Sequence, residues 1–570
     1  MLSAHRMACL PTLVSRLSRV MSGFRSGGFA LLTVSLSAEY HYSMIGTATS
    51  LGIWTRILLL LLVIWILWRK FVWPNYFSPL RHLPSPHSGT WGLNQRLRLY
   101  TEPRGKPQCD WVNHIPNNGL LRYRTLLNSD RLSVTSPEAL AEVLTTKCYD
   151  FRKPKWLLGE LKQVLGVGLL LAEGDDHRFQ RKILAPAFSF RHIKNLYGVF
   201  WDKSHDLVNA ITEHLSCKEK EQQITRLACD KFHPSTGVLD IADWANRATL
   251  DMIGIAGMGR DFGAIHDPNA DLVRAYKLIF QPSKSAMFLA ILRFLLPDWL
   301  VNRLPFRRNK EIQRAVRTIR GACAELIHQK SGYLSENSNL EHRDILTVAL
   351  QNGGFSKEGL IDQLMTFLAA GHETTATAVT WAIYLLCVNC DVQTTLRQEI
   401  REKLRSPDDH KSSFTHQSID SMTYLNAVCD EVLRYAPPVP FTIREAVVDT
   451  VILDQPIPKG TKIMVVPRAT NRDAHLWGPD AQDFKPERWL NPDTRSNYAT
   501  MTFIHGSRSC IGRSFAKAEF AILLAALVGR FEFQLEDDRL LDERHMKVTR
   551  TVTARPVNGL LVKATPLVGW

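Results

Sequence analysis

A ten-residue loop around Cys510 constrains this chain more than any other stretch of its sequence. Residues 503–512 read F-I-H-G-S-R-S-C-I-G, and a long apolar helical pattern begins at Arg513. Glycine permits positive φ and lets the backbone approach a flat ligand closely. The N-terminus of a helix lowers the pKa of a nearby thiol. The loop therefore predicts an ionised Cys510, with Phe503 packed under a ring and Arg508 paired with a carboxylate.

A single cysteine is more often a small buried apolar residue than a ligand. Residues 503–512, however, match five fixed positions of F-x-x-G-x-R-x-C-x-G. At roughly 5% per residue type, a chain of this length matches by chance about twice in ten thousand trials. That pattern resembles the haem-binding loop of the cytochrome P-450 haem-thiolate monooxygenases. The resemblance implies that Cys510 is the axial thiolate ligand of the iron of haem b, which favours O–O cleavage.

The resemblance extends over residues 83–562 and implies a mainly α fold with small β-sheets. A second signature, A-G-H-E-T-T at 370–375, lies in a helical pattern over Lys357–Val388. Gly371 is expected to leave a gap for dioxygen. Glu373 and Thr374 place an acid beside an alcohol, a pairing that relays protons. Glycine and threonine are poor helix formers, so their presence inside a long helix hints at function.

Two further signatures concern buried charge. Glu431 and Arg434 stand at i and i+3, and Arg488 follows in F-K-P-E-R-W at 484–489. An exposed helix ion pair, contributing about 0.2–0.5 kcal/mol, is the alternative interpretation. The resemblance implies that the three residues form a buried network that holds the haem loop, a structural role.

Other basic residues match family positions that bind the haem propionates. His177 and Arg181 stand at i and i+4 in 174–182, so they share one helix face. Arg444 and Arg508 match further propionate positions. A basic surface helix is the alternative for 174–182. The resemblance and the turn after Pro437-Pro438 also indicate a substrate pocket formed by Phe367, Ala370, Val439, Phe441 and Thr442.

An apolar run near the start predicts a membrane anchor. Residues 57–68 read I-L-L-L-L-L-V-I-W-I-L-W and span about 18 Å of a core about 30 Å thick; extension to 51 gives about 27 Å. Trp54, Trp65 and Trp68 suit the interfaces, and Arg69-Lys70 closes the span. A signal peptide and a buried core helix are the alternatives. We expect an anchor at 51–70, a proline-rich hinge at 71–86 and a haem-thiolate catalytic domain at 87–570.

Residues 1–50 form a leader of unclear status. Residues 1–38 contain four arginines and no acidic residue, as mitochondrial presequences do, whereas Met44 is the more plausible start. The anchor and the hinge also resemble those of the microsomal family members, which implies a single-pass protein of the endoplasmic reticulum membrane with its catalytic domain in the cytosol. Mitochondrial targeting is the minority alternative. The apolar stretch 286–296 is too short to span a membrane, and by resemblance it guards a substrate entrance from lipid.

Composition narrows the partners. The chain has 570 residues, a net charge of +15 and ten scattered cysteines, so a disulfide scaffold is excluded, and Cys387 and Cys390 are expected to be core residues. No nucleic-acid motif accompanies the charge, and no G-x-G-x-x-G follows a strand. Electrons are therefore expected from NADPH through a separate flavoprotein reductase, with cytochrome b5 as a further candidate. Arg513 and Lys517, near the thiolate loop, suit an acidic partner.

The predicted activity is insertion of one oxygen atom from O2 into a lipophilic small molecule, as a tailoring step in fungal secondary metabolism. Fatty-acid hydroxylation is the alternative within the class. A haem-thiolate isomerase or dehydratase, and a non-enzymatic haem-binding protein, are the alternatives outside it. The periodicity predicts helices over 138–145, 192–211, 309–329, 357–388, 394–404, 419–435 and 513–531, and strands over 120–123, 131–134, 442–448, 462–466 and 560–563.

Overall fold

The computed structural model describes residues 54–86, 93–125, 128–225, 236–280, 306–336, 344–404, 414–491 and 495–569. The leader at 1–50, the first three residues of the expected anchor and the apolar stretch 286–296 lie outside these residues. What the sequence predicts for them stays a prediction. The chain divides into two compact units, 1–78 and 79–570, which are described separately.

The first unit contains helix α1 (Trp54–Tyr76), which is long and apolar enough to cross a membrane, with a mean hydropathy of 1.9. The helix runs past Pro74, into the predicted proline-rich hinge at 71–86. Residues Trp68–Val72 are π-helical, and Pro74 occupies the first turn of the following segment Trp73–Tyr76. Proline is tolerated in a first turn because its missing N–H needs no partner there. The helix thus continues through Pro74, and it ends at Tyr76.

The second unit is mainly helical, as predicted. Its described helices are α2 (Leu93–Thr101), α3 (Lys106–His114), α4 (Pro137–Ala141), α5 (Lys155–Leu165), α6 (Gly174–Leu184), α7 (Phe190–Lys194), α8 (Tyr197–Thr225), α9 (Ile241–Met258), α10 (Asp271–Phe280), α11 (Arg307–Glu336), α12 (Ile345–Asn352), α13 (Lys357–Val388), α14 (Cys390–Lys403), α15 (His416–Asp420), α16 (Thr423–Tyr435), α17 (Pro467–Thr470), α18 (Ala474–Trp477) and α19 (Arg513–Arg530).

The strands form small sheets. They are β1 (Leu120–Arg124), β2 (Asp130–Val134), β3 (Phe151–Arg152), β4 (Gly237–Asp240), β5 (Thr442–Ala446), β6 (Thr450–Ile452), β7 (Gln455–Ile457), β8 (Lys462–Val465), β9 (Phe531–Leu535) and β10 (Leu561–Pro566). One sheet has the order β1-β2-β8-β5-β3, with β2 and β8 parallel, and a second has the order β4-β10-β9. Strands β6 and β7 form a hairpin. In the first sheet Ile443 pairs with Met464, which sets the position of Arg444 on β5.

Several predicted elements have different bounds. Helix α13 matches its predicted limits, and the Ser136 hydroxyl caps α4 by accepting from the N–H of Ala139. The predicted helices 192–211 and 419–435 are each split in two, because a helical period continues through a two-residue break and does not reveal it. The last predicted helix ends one residue early, since Phe531 begins strand β9.

Helix α13 lies at the centre of the apolar core. Its residues Val379, Ile383 and Leu386 are fully buried, as are residues 522–524 of α19. Each such side chain contributes about 1.5–3 kcal/mol on burial. Helices α9, α16 and α19 all pack against α13. This packing fixes α13 beside the loop that carries Cys510.

Candidate haem site

The Cys510 loop is held by short backbone contacts. Gly506 has φ 76° and begins a 3₁₀ turn, and the N–H of Cys510 donates to the carbonyl of Phe503 at 2.9 Å. A Cβ on Gly506 would overlap the carbonyl oxygen of Leu144. The positive φ expected for this loop is therefore present, and Gly506 also permits a close approach to the segment Glu142–Thr146. The expected approach of the loop to a flat ligand stays a prediction.

Cys510 opens onto a cavity of about 340 Å³ between its loop and helix α13. Burial raises the pKa of the Cys510 thiol, opposed by the N–H of Gly512 and by the charges of Arg181 and Arg513. The sequence predicts a lowered pKa from the helix N-terminus; burial acts in the opposite direction in the protein alone, and the lowered pKa stays a prediction. A cation bound to the sulfur would reverse the balance.

The cavity collects most of the residues that the sequence singles out. Gly371, Thr374 and Phe503 line it. The five residues expected to form the substrate pocket line it too, namely Phe367, Ala370, Val439, Phe441 and Thr442. At another part of its lining lie the four basic residues expected for the propionates, His177, Arg181, Arg444 and Arg508. Residues that are more than 300 positions apart in the sequence therefore share one cavity.

A group of basic side chains, here called the cationic cluster, consists of Lys153, Arg444 and Arg508. Arg508 forms an ion pair with Glu173, and the Nζ of Lys153 lies 3.6 Å from the Oε1 of Glu173. Within the described ranges, no acidic residue lines the cavity itself, and Nε and Nη1 of Arg508 are buried without a hydrogen-bond partner. Three cations thus share one nearby carboxylate.

The excess positive charge is visible in the pKa values. Burial and the neighbouring Arg508 lower the pKa of Arg444 to about 10. Burial and the neighbouring Arg444 lower the pKa of Lys153 to about 7. Burial and Arg508 likewise lower the pKa of His177 to about 4, so His177 is neutral near pH 7. A dianionic group at this place would compensate the cluster, and a haem carries two propionates. The residues present therefore fit a haem.

Arg181 is bound to the loop directly. Its Nη1 donates to the carbonyl of Ser509 at 2.7 Å, and its Nη2 donates to the Ser509 hydroxyl at 3.1 Å. The imidazole of His177 lies 3.4 Å from the hydroxyl of Tyr149. Helix α6 therefore links the cavity wall to the residue that precedes Cys510.

Thr374 and Glu373 face different sides of helix α13. The Thr374 hydroxyl lines the cavity and donates to the carbonyl of Ala370 at 2.7 Å. The buried Glu373 carboxylate instead accepts a hydrogen bond from the Thr553 hydroxyl at 2.7 Å and does not line this cavity. Consecutive helix residues point about 100° apart, so an adjacent acid and alcohol cannot both face one cavity without a side-chain rotation.

Gly371 lies where helices α13 and α9 approach each other. A Cβ there would come within 2.9 Å of the Ile253 side chain. The glycine therefore permits close helix packing, a purpose the sequence did not indicate. Gly371 also lines the cavity, and its expected role beside dioxygen stays a prediction.

Glu431, Arg434 and Arg488, called here the charge network, form a buried cluster rather than an exposed helix pair. Nη2 and Nε of Arg434 donate to Glu431 at 2.7 and 2.8 Å, and Nε of Arg488 donates to Glu431 at 3.1 Å. Glu431 and Arg434 are fully buried. Arg434 Nη1 also donates to the carbonyl of Asn471 at 2.8 Å, and the Asn471 side chain binds the N–H of Met501 at 2.7 Å. The network thus reaches the chain just before the Cys510 loop.

Several residues of the site carry no sequence signal that we recognised. Lys153 and Glu173 lie in irregular segments beside β3 and α6, and Asn471 follows α17. Thr553 lies in a bend before β10. Lys517, expected to face a partner, lies 2.7 Å from Asp430 in an ion pair. These contacts join distant segments, so spacing in the sequence does not reveal them.

A thiol in a glycine-bounded loop, an apolar cavity beside it and unbalanced cations along its wall are the features that a haem-thiolate site requires. A family model for cytochrome P-450 matches residues 125–560. The chain belongs to the cytochrome P-450 family, as the loop and its companions predict. The family uses a haem with a thiolate ligand and electrons supplied by a reductase.

Curated relatives extend the match to nearly the whole chain. Cytochrome P-450 monooxygenase FUM15 of Gibberella moniliformis is 49% identical over 549 residues, covering 88% of this chain and 90% of the relative. Monooxygenase ALT8 of Alternaria alternata is 47% identical, covering 89% and 93%, and monooxygenase sphH of Aspergillus fumigatus is 42% identical, covering 89% and 92%. The predicted enzyme class, a monooxygenase, is confirmed.

Proposed function

We propose that the protein is a membrane-anchored monooxygenase in which Cys510 ligates the iron of haem b. Phe503 packs against the ring, and Arg181, Arg444 and Arg508, with His177 and Lys153 beside them, hold the propionates. Bound haem supplies the oxidising chemistry that inserts one atom of O2 into the substrate while the other leaves as water. The observation that carries this proposal is the single cavity shared by Cys510, Thr374 and the cationic cluster.

The chain's own residues manage protons in this proposal. Thr374 holds its hydroxyl hydrogen toward the Ala370 carbonyl and keeps its oxygen in the cavity, where it accepts and passes a proton. Glu373, next on the helix, is the acid that resupplies Thr374. Positioned proton transfer of this kind contributes about 10²–10⁴-fold to rates.

The cavity favours a lipophilic substrate. Its lining away from the cations is made of side chains such as Leu169, Phe188, Ile253 and Phe367. Burying apolar substrate area there contributes about 25 cal/mol per Å². The named relatives are fungal monooxygenases, which supports a tailoring step in fungal secondary metabolism.

Electrons come from NADPH through a flavoprotein reductase, with cytochrome b5 as an additional donor. Helix α1 anchors the protein in the endoplasmic reticulum membrane, and the catalytic domain faces the cytosol. The length and apolar composition of α1 support the anchor.

A reduced carbon-monoxide difference spectrum tests the ligand assignment. Wild type should give the Soret position of a thiolate-ligated haem, and Cys510→Ser should lose it entirely. NADPH-dependent product formation with added reductase then separates a monooxygenase from an isomerase and from a passive haem protein. An unchanged spectrum in Cys510→Ser would refute the assignment.

A further inference from the structure

A second cavity lies on the opposite side of helix α13 from Thr374. It has a volume of about 150 Å³ and is bounded by the start of α9, by α10, by α13 and by residues 555–559. Polar and charged side chains contribute to its lining, among them Asp243, Asn246, Lys277, Glu373 and Arg555. At about 30 Å³ per molecule, it has room for roughly five waters, and its polar lining offers them partners.

Glu373 is held in this second cavity by the C-terminal segment. The Thr553 hydroxyl donates to Glu373 Oε1 at 2.7 Å, and Nη1 of Arg555 lies 3.6 Å from the same oxygen. Thr553 and Glu373 are 3% and 5% exposed, so this contact is shielded from bulk water. A hydrogen bond to a buried carboxylate is stronger than one between neutral groups.

The other carboxylates of the cavity are engaged elsewhere. Asp243 lies 2.7 Å from Lys277 and 3.0 Å from Arg247 in ion pairs. Asp240 caps α9 by accepting from the N–H of Ala242 at 3.0 Å. Among the described lining residues, Glu373 is therefore the carboxylate that lies both in the polar cavity and next to Thr374 in the chain.

The cavity also reaches the protein surface. Its lining includes Val557, which is 42% exposed, and Lys277, whose side chain is 35% exposed. Water can therefore exchange between the cavity and solvent at this rim. The haem cavity and the second cavity are separated by α13: Gly371 and Thr374 line the first, and His372 and Glu373 line the second.

We infer that Thr553 is a positioning residue for oxygen activation: it holds the Glu373 carboxylate in the second cavity, where the carboxylate takes protons from solvent. This inference rests on the proton role of Glu373 and Thr374 given above. A water O–H bond breaks and a carboxyl O–H bond forms on Glu373, and solvent restores the water. The carboxyl then turns about its side-chain bonds and gives that proton toward Thr374. No electrons are transferred in either step.

Thr553→Val tests the inference, because valine keeps the volume of threonine and removes the hydroxyl. We expect the haem spectrum to be unchanged and the ratio of product to released hydrogen peroxide to fall about tenfold, as for a lost hydrogen bond to a charged group. Thr553→Ser retains the hydroxyl and should restore the ratio. The matched control is Thr551→Val, since the Thr551 hydroxyl donates to the carbonyl of Thr553 at 3.2 Å in the same segment. Equal ratios in Thr553→Val and Thr551→Val overturn the inference.

A second measurement does not depend on turnover. The thermal unfolding midpoint is compared in a double-mutant cycle of Thr553→Val and Glu373→Ala. Thr553→Val should lower the midpoint in the wild-type background and leave it unchanged in the Glu373→Ala background. An equal lowering in both backgrounds means that the hydroxyl serves only its own segment, and the inference is wrong.

The same experiment separates this inference from the proposed function. Glu373→Gln and Thr374→Ala should each raise the peroxide share while haem binding stays intact. If neither does so, the proton role in the proposed function fails. If both do so and Thr553→Val does not, the positioning role of Thr553 alone fails.

Discussion

Two groups of buried charge flank the Cys510 loop, and they differ in how their charges are balanced. In the charge network, Glu431 bridges Arg434 and Arg488, and Asp480 forms a second ion pair with Arg488 at 3.2 Å. Backbone carbonyls accept the remaining N–H groups of Arg434. In the cationic cluster, Arg444 and Arg508 share the carboxylate of Glu173 with a third cation. Burying charge is costly unless it is paired.

This difference distinguishes buried charge that holds the chain in place from buried charge that binds a ligand. A fully paired group is complete in the protein alone and contributes to holding the chain in place. A group with excess charge destabilises the protein alone and is compensated by a ligand of opposite sign. The charge network belongs to the first kind, and we assign the cationic cluster to the second.

The largest expected effect is on the charge network. Arg434→Ala should lower the free energy of unfolding by about 3–5 kcal/mol, because it leaves the buried Glu431 charge poorly compensated. Urea unfolding of the protein with and without haem measures this effect, which should appear in both. Arg488→Ala leaves the Arg434 pair in place and should cost less.

The exposed Arg539, which pairs with Asp537 on the surface, supplies the control Arg539→Ala. Surface pairs contribute about 0–1 kcal/mol. A cost for Arg434→Ala within that range would mean that the network behaves as a surface pair and the distinction between the two groups fails.

An intermediate effect is expected from the cationic cluster. Arg508→Ala should weaken haem binding by about 10–150-fold, the equivalent of a charged hydrogen bond of about 1.5–3 kcal/mol. The unfolding free energy of the haem-free protein should not fall, because removing one cation relieves repulsion. Haem transfer to an acceptor protein measures the first quantity, and thermal unfolding measures the second.

Arg544→Ala is the control for surface charge, since Arg544 is exposed and pairs with Asp542. The assignment of the cationic cluster to ligand binding is wrong if Arg508→Ala destabilises the haem-free protein as Arg434→Ala does and leaves haem affinity unchanged.

The third expected effect concerns pH. The pKa of Lys153 in the fold is lowered to about 7 from 10.5, so near neutral pH the unfolded chain binds more protons. The stability of the haem-free protein should therefore rise as the pH rises from about 7 to about 10.5, and Lys153→Met should flatten this rise. Thermal midpoints of the haem-free protein across this pH range provide the measurement. Identical slopes in wild type and variant would show that Lys153 is not subject to the excess charge.

Much of the site was predictable because its chemistry is local in sequence. The loop at 503–512 carries its ligand and its glycines within ten residues. Glu431 and Arg434 share one helix turn, as do His177 and Arg181. These patterns predicted the family and the haem. The match of the family model to residues 125–560 confirms the family.

Other residues could not be predicted because their partners lie far away in the chain. Asn471 links Arg434 to Met501, and Thr553 reaches Glu373 across 180 positions. Glu519 lies on the apolar helix α19 and is fully buried, with its pKa raised by burial to about 8. Nothing in its sequence neighbourhood distinguishes it from a surface glutamate, since burial is decided by the helices packed around it.

The sequence by itself determined helix α13, the loop around Cys510 and the residue types that the chemistry requires, because helical period and loop glycines act over a few residues. The tertiary structure alone decided which side of α13 each residue faces. Glu373 and Thr374 are neighbours in the chain, yet one contacts Thr553 and the other faces the haem cavity. The helix geometry fixes the angle between these two side chains. The long-range packing of other segments decides which residues each side chain contacts.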